Sequence, residues 1–254
     1  MAEPGTDAPP PLLSTTAALY LDFDGTLADI ALHPDAVVVS EPLPELLLAL
    51  RERLTGAVAV VTGRRLAAVD ALIAPARLAG SGLHGAELRA DGDSPARGPA
   101  DPAGAEPLAR SLRERFAGDP RIYVEDKGAA VSLHYRRAPE REQDCREAMR
   151  VLAPPERFDV TEGSRVVEAR PRGADKGAAL ATLARQPPFA GRRPVFVGDD
   201  VTDEDGFRAA ERLGGYGVKV GPGPTAARYR IAEVGGVHDW LHESLAALER
   251  ERAT

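Results

Sequence analysis

Cysteine is almost absent from this chain of 254 residues, since Cys145 stands alone. A single cysteine can form no internal disulfide and cannot build a cysteine-based metal site. No apolar run approaches the ~18 residues of a membrane span. The first sixteen residues, MAEPGTDAPPPLLSTT, have neither a basic start nor an apolar stretch and so do not resemble a secretory signal. We therefore expect a cytoplasmic protein without a membrane span, in which residues 1–16 form a disordered leader.

An excess of positive charge is also missing. The net charge is −7, and no block of lysine and arginine is long enough to form a nucleic-acid stripe. Binding to nucleic acid or to an anionic membrane is therefore not expected. Hydrophobic residues make up 43% of the chain, which is enough for the core of one large domain or of a domain with a smaller insert.

The order of apolar segments predicts an α/β domain that is interrupted by a second module. Short apolar strands alternate with helical spacing at both ends of the chain, which indicates a parallel sheet covered by helices. Between them the order changes to helix–strand–strand, repeated twice. We predict a core domain over 17–100 and 171–254, and an α+β cap over 101–170. The cap is expected over the carboxyl ends of the core strands, where ligands bind in open α/β sheets.

Two carboxylates, Asp22 and Asp24, follow the first predicted strand, and Gly25 after them permits a sharp turn. The alternative interpretation is an ordinary turn at the end of a strand. However, two ionised acids beside an apolar strand are costly without a cation. The pair therefore favours a nucleophile with a second acid near the leaving group.

A hydroxyl turn and a lysine follow further along the chain. Thr62, Gly63 and Arg64 end the second strand, and a hydroxyl with a backbone amide at such a turn can hold phosphoryl oxygens. Lys176 opens a helix, where the helix dipole disfavours a cation. Its position indicates a carboxylate or phosphoryl group facing it, with a solvated surface lysine as the alternative.

The run from Gly198 to Asp205 places five acids in seven residues directly after a buried strand. A helix start needs only one capping residue, so this run exceeds what a cap requires. Hard cations such as Mg²⁺ prefer carboxylate oxygens, and the run therefore predicts one half of a magnesium site. The sequence leaves open which of Asp200 and Asp203 assists Asp199.

In this order the four elements resemble motifs I to IV of the haloacid dehalogenase (HAD) superfamily of phosphotransferases. The resemblance to trehalose-6-phosphate phosphatases extends from Leu21 to about Trp240. It is carried by the segments LDFDGTLADI, VVTGR, GLHGAE, EDKGAAVSLHYR, VVEARPRGADKG and FVGDDVTDEDGF.

The resemblance implies a HAD-like Rossmannoid core with a parallel sheet and a mobile α+β cap inserted after the third strand. It implies Mg²⁺-dependent hydrolysis of trehalose 6-phosphate, with Asp22 as nucleophile and Asp24 as acid and then base. Thr62 and Lys176 would hold phosphoryl oxygens. The metal ligands would be Asp22, Asp199 and the backbone carbonyl of Asp24.

The cap carries charged pairs at strand spacing, which places each pair on one face of its strand. Such faces are often only solvated, but three pairs in one module favour a polar lid over a hydroxyl-rich ligand. By resemblance, the sugar is contacted by Glu125, Lys127 and Glu168, and the substrate is placed by Arg64 and Arg136. The remaining substrate-binding residues expected are Asp22, Phe23, Asp24 and His84.

Several alternatives stay open from the sequence. The substrate could be another sugar phosphate, such as sucrose phosphate or mannosyl-3-phosphoglycerate, and the same acid pair also serves phosphomutases. A non-catalytic sugar-phosphate sensor is the alternative from a different class, although a sensor needs no acid at position 24. A functional link to a trehalose-phosphate synthase is also expected.

Overall fold

The computed structural model describes residues 8–31, 33, 36–98 and 104–252. The chain divides into two compact units, Met1–Ala96 with Asp175–Thr254, and Arg97–Ala174. The predicted boundaries lie a few residues from these divisions. Within the described ranges, no helix combines the length and the apolar content that crossing a bilayer requires.

The elements alternate as strands and helices in the first unit and follow the order helix–strand–strand twice in the second. In chain order they are β1 (Ala17–Leu21), α1 (Leu43–Arg53), β2 (Val58–Val61), α2 (Leu66–Leu72), β3 (Ala79–Gly82), β4 (Glu87–Arg89), α3 (Glu106–Arg115), β5 (Tyr123–Asp126), β6 (Val131–His134), α4 (Glu142–Leu152), β7 (Phe158–Gly163), β8 (Val166–Pro171), α5 (Lys176–Leu183), β9 (Arg193–Gly198), α6 (Asp203–Arg212), β10 (Tyr216–Val220), β11 (Tyr229–Ile231) and α7 (Val234–Arg252).

The first unit is built on a seven-stranded sheet in the order β11-β10-β9-β1-β2-β3-β4. All neighbouring strands are parallel except β3 and β4, which are antiparallel. Every residue of β1 and β2 is buried. Parallel strands covered on both faces read as continuous apolar runs, which is why these two strands were predictable.

The second unit is a four-stranded antiparallel sheet in the order β5-β6-β8-β7. Side chains alternate between its faces. Val131, Leu133 and Val167 lie on the face that packs with α3 and α4 in a separate hydrophobic core. Polar residues therefore occupy the other face. Together the two sheets confirm the predicted fold class, a parallel α/β core with an inserted α+β module.

Two short strands were not predicted. Strands β4 and β11 have three residues each, which is too short for a periodic pattern. The second unit follows β3 in the chain, as the resemblance had implied, and the short strand β4 lies between them.

The disordered leader is wrong for residues 8–16, while residues 1–7 lie outside the described part of the chain. Leu13 is buried in the main core. Its amide donates to Ser244 Oγ at 3.2 Å, and the carbonyl of Pro11 accepts from Trp240 Nε1 at 3.1 Å. The physical reason is that α7, which carries Ser244 and Trp240, offers both apolar surface and hydrogen-bond partners to this segment.

Candidate active site

Three neighbouring strands end beside one another at one edge of the first sheet. Asp22 follows β1, Thr62 follows β2 and Asp199 follows β9, and β1 lies between the other two in parallel register. The chain continues from β1 to β2 on one side and returns as β9 on the other. This is the switch point at which open α/β sheets form their ligand crevice.

Lys176 joins two buried carboxylates at this edge. Its Nζ lies 2.8 Å from Asp22 Oδ1 and 2.6 Å from Asp203 Oδ1, and all three side chains are nearly inaccessible to solvent. Burial opposes the charge on the lysine, but the carboxylates of Asp203 and Asp22 outweigh it and raise the pKa of Lys176. The ammonium that opens α5 therefore stays charged, and it faces carboxylates as the sequence had indicated.

The surroundings of Asp22, the candidate nucleophile, disfavour its ionised form. Burial, followed by repulsion from Asp203, raises the pKa of Asp22 well above its ordinary value, although the Lys176 ammonium lowers it. Burial and the Asp203 carboxylate likewise raise the pKa of Asp199 to about 7. The charges of Lys176 and Lys219 are thus too little to offset burial and mutual repulsion of these acids, and a bound cation would favour their ionised forms.

Asp22, Asp199 and Asp203 form a group that could hold a metal ion. One oxygen from each lies within 4.8 Å of the others. Asp199 Oδ1 is buried and has no hydrogen-bond partner among the described residues. Gly25 allows this approach, because a Cβ at that position would lie 2.2 Å from Asp199 Oδ2. An orphaned carboxylate oxygen in an all-oxygen donor set fits a hard divalent cation.

The group also distinguishes between the two acids that the sequence left open. Asp203 belongs to it, whereas Asp200 Oδ1 accepts a hydrogen bond from the amide of Val201 at 2.7 Å. Asp203 Oδ2 in turn accepts from the amide of Asp200 at 2.9 Å. The side chain of Asp24 lies outside the group, and only its backbone carbonyl had been predicted as a ligand.

Asp24 is instead held by Arg64. Nε of Arg64 donates to Asp24 Oδ2, and Nη2 donates to Oδ1, both at 2.7 Å. The guanidinium also lies 5.7 Å from the centre of the Phe23 ring. A bidentate pair of this kind fixes both the position and the plane of the carboxylate. About a third of the Asp24 side chain remains exposed, so it can still meet a ligand.

Thr62 and His84 complete this edge. Thr62 is buried, and its Oγ1 accepts from the amide of Arg64 at 3.1 Å. The carbonyl of Thr62 accepts from the amide of His84 at 3.0 Å. His84 has a φ of 54° and a ψ of 24°, in the left-handed region. Such a conformation is uncommon for a residue other than glycine and often marks a functional turn.

The polar face of the second sheet holds most of the predicted sugar contacts. Glu168 Oε1 accepts from Lys127 Nζ at 2.7 Å and from Ser132 Oγ at 2.9 Å. Glu125 Oε2 lies 2.9 Å from His134 Nε2. Burial raises the pKa of Glu125, but the hydrogen bond from His134 and the charge on Lys127 outweigh it, so the net effect is a lowered pKa.

Arg136 and Arg170, in or next to this sheet, differ in their hydrogen bonds. Arg136 lies beyond the end of β6, and its Nη2 donates to the carbonyl of Ser164 at 2.8 Å, away from the Glu125 and Glu168 pairs. Arg170 belongs to β8, where alternation places it on the same face as Glu168. Its Nε and Nη1 are buried without a hydrogen-bond partner among the described residues. These donors would suit an oxygen-rich ligand.

Sequence reasoning missed Lys219, which is buried in β10. Its Nζ donates to the carbonyl of Asp199, and also to the carbonyl of Val220 at 3.1 Å. The lysine therefore fixes the backbone that carries one member of the acidic group. The available signal was a charged residue inside the otherwise apolar strand YGVKV, because buried lysines need partners.

Comparisons with known proteins agree with one another. The family model described as trehalose-phosphatase matches residues 20–234. The trehalose-6-phosphate phosphatase of Escherichia coli K12 is 40% identical over 99% of this chain and 94% of its own length. The C-terminal domain of a trehalose-6-phosphate phosphatase from C. albicans shares the fold, with a TM-score of 0.81, 22% identity and coverage of 92% of this chain and 93% of that one.

The fold also matches the wider superfamily. A phosphatase of the HAD superfamily from Bacteroides thetaiotaomicron is 17% identical, with a TM-score of 0.61 and coverage of 98% of each chain. At this level of identity the likeness concerns the fold alone. It confirms that the core is HAD-like, as the four motifs had predicted.

Proposed function

This chain belongs to the trehalose-phosphatase family, and from that premise we propose that it hydrolyses trehalose 6-phosphate to trehalose and phosphate. The observation that carries the proposal is the arrangement at the end of β1. Asp22 is buried against the Lys176 ammonium, and Asp24, two residues on, is held by Arg64 with part of its side chain exposed. A nucleophile and a proton donor are thus presented from one turn.

In the first step, an oxygen of Asp22 forms a bond to phosphorus while the bond from phosphorus to the sugar oxygen breaks. Asp24 gives its proton to the departing sugar oxygen, so that trehalose leaves as the neutral alcohol. Thr62 and Lys176 would hold phosphoryl oxygens as their charge redistributes. The product of this step is an aspartyl phosphate on Asp22.

In the second step, Asp24 takes a proton from water, and the water oxygen attacks phosphorus to release phosphate from Asp22. The two donors of Arg64 suit the carboxylate form of Asp24, which is the form this step needs. In the first step Asp24 carries the proton, so one of its oxygens must then give up its bond to Arg64. Arg64 would therefore exchange partners during the cycle, between Asp24 and the substrate that it helps to place.

We propose Mg²⁺ as the cofactor, held by Asp22, Asp199 and the backbone carbonyl of Asp24, with Asp203 in support. When bound, it would neutralise charge so that an anionic carboxylate can approach an anionic phosphate. The support is the donor set, three clustered carboxylates with an orphaned oxygen on Asp199.

We further propose that the polar face of the second sheet recognises the sugar. Its contacts would come from Glu125, Lys127 and Glu168, with Arg136 helping to place the substrate. The support is that Lys127 pairs with Glu168 and that Glu125 pairs with His134 on this face, so charged donors and acceptors that could bind sugar hydroxyls lie together there. Phe23 and His84 would contact the substrate as well. The substrate would come from a trehalose-phosphate synthase.

The proposal is tested by measuring phosphate release from trehalose 6-phosphate with Mg²⁺, with excess chelator, and after Mg²⁺ is restored. We expect turnover that chelation abolishes and Mg²⁺ restores, with Ca²⁺ a poor substitute because of its looser coordination. Sucrose phosphate and mannosyl-3-phosphoglycerate serve as comparison substrates. Faster turnover of either would reassign the substrate, and binding of trehalose 6-phosphate without turnover would favour the sensor.

A further inference from the structure

The segment GLHGAE leaves β3 through an unusual backbone. Leu83, His84 and Gly85 have φ angles of 50°, 54° and 122°, so three consecutive residues lie in the left-handed half of the map. Two of them carry side chains, for which this conformation is unfavourable. Contacts elsewhere must therefore stabilise the turn.

Those contacts go to the turn that carries Thr62 and Arg64. The amide of Leu83 donates to the carbonyl of Arg64, and the amide of His84 donates to the carbonyl of Thr62, both at 3.0 Å. The His84 ring lies so close to Gly63 that a Cβ there would be 2.4 Å from Nε2. Residues 83–85 therefore hold the turn that carries Thr62 and Arg64 in place, through two backbone hydrogen bonds and the close approach of His84 to Gly63.

Glu87 closes the far end of the same turn. It is 8% exposed, and its Oε2 accepts from the amide of Leu66 at 2.8 Å, where α2 begins. The residue before the helix, Arg65, makes no capping bond with its side chain within the described part of the chain. Its Nε lies instead 3.5 Å from Glu87 Oε1. A residue on β4 therefore does the work of a helix cap, which Ser, Thr, Asp or Asn usually performs locally.

We infer that Glu87 is a positioning residue of the reaction: by holding the amide of Leu66, it fixes the turn that keeps Arg64 on Asp24. Arg64 is two residues from that amide, and its guanidinium meets Asp24 at 2.7 Å through both donors. A bidentate geometry tolerates little displacement of the backbone from which it projects. The inference rests on the proposed function, since it assigns Glu87 to the acid and base step.

A matched control exists between the same two elements. Asp70 on α2 accepts from Arg89 on β4 through Oδ2 at 2.6 Å and Oδ1 at 2.7 Å. This pair also ties α2 to β4, and within the described residues none of the side-chain bonds of Asp70 and Arg89 goes to the turn of residues 62–66. Asp70→Ala therefore removes a comparable tie without releasing Arg64.

The experiment measures kcat and KM for trehalose 6-phosphate in wild type, Glu87→Ala, Glu87→Gln and Asp70→Ala, below the Tm of each variant. Glu87→Ala should lower kcat by about tenfold or more, because small misplacement of reacting groups has large effects on rate. Glu87→Gln keeps an oxygen for the Leu66 amide and should stay within about threefold of wild type, as should Asp70→Ala.

The same comparison in an Arg64→Ala background separates positioning from general stability. If Glu87 acts through Arg64, Glu87→Ala should have little further effect on kcat there, since the two losses are coupled. An undiminished effect in that background would overturn the inference. So would unchanged kcat in Glu87→Ala, or an equal loss in Asp70→Ala.

A readout without turnover keeps the inference separate from the proposed function. Hydrogen exchange at the Leu66 amide and at Arg64 Nε, followed by NMR, should be slow in wild type and Asp70→Ala and fast in Glu87→Ala. If wild type releases no phosphate from trehalose 6-phosphate, the proposed function fails. Retained protection at Arg64 Nε in Glu87→Ala would then overturn the positioning role as well, whereas its loss would uphold the control of Arg64 by Glu87.

Discussion

Without metal ions, the protein should lose stability as the pH rises through neutrality. Burial and the Asp203 carboxylate raise the pKa of Asp199 from 3.8 to about 7 in the folded chain. A carboxyl whose folded pKa is the higher one binds its proton more tightly when folded. Its contribution to stability is therefore fully present below the unfolded pKa and is lost as the pH rises through the folded pKa.

The size of the effect follows from that shift. Between about pH 5.5 and about pH 8, the unfolded carboxyl is already ionised while the folded one loses its proton, which removes roughly 2 kcal/mol of stability. For a chain of this length this corresponds to a fall in Tm of about 4–8 °C. Asp22 adds to the loss in the same direction, because its pKa is also raised.

The assay is thermal unfolding of metal-free protein across this pH range. Between these pH values the Tm of Asp199→Asn should fall by about 4–8 °C less than the Tm of wild type. Asp205→Asn is the control, because its carboxylate is partly exposed in the first turn of α6. Adding Mg²⁺ should raise the Tm of wild type more at the higher pH, and should raise that of Asp199→Asn least. Equal pH slopes in wild type and Asp199→Asn would refute the electrostatic argument.

Three further outcomes can be measured. Asp22→Asn should abolish turnover, and residual activity within about tenfold of wild type, or 1.4 kcal/mol in barrier, would exclude it as the nucleophile. Lys176→Met leaves buried carboxylates unbalanced and should lower the free energy of unfolding in urea by about 3–5 kcal/mol; a loss near zero would show that the ammonium is not needed for stability. Replacing Glu125, Lys127 or Glu168 by Ala should lower kcat/KM for trehalose 6-phosphate by about 10- to 150-fold while sparing a small aryl phosphate. Equal losses on both substrates would contradict a role in sugar recognition.

The features that the sequence could reveal are those with a periodic or compositional signal. The buried strands β1 and β2 are apolar runs in the sequence. The inserted module was predicted from the change in element order, from alternating strands and helices to helix–strand–strand. The acidic run after β9 stood out by its density alone. By contrast, β4 and β11 form by pairing with the strand that precedes each of them, and three residues cannot show a periodic pattern.

The sequence also could not show which side chains contact one another. Nothing in the spacing of Asp24 and Arg64 shows that they meet in a bidentate pair, because the contact depends on how two separate turns are shaped. The same holds for Lys219, whose partners are carbonyls of other residues. Residues 8–16 looked disordered from their composition, yet Pro11 and Leu13 bond to α7, more than two hundred residues away in the chain.

The position of β1 in the sheet also bears on how the chain folds. During synthesis β1 emerges early, but its neighbour β9 emerges only after the whole second unit has been made. Until then, this apolar strand has β2 on one side and an open edge on the other, and open apolar edges invite pairing between chains. The nascent core should therefore depend on chaperones while residues 97 to 198 are being synthesised. Its aggregation tendency should fall sharply once β9 leaves the ribosome.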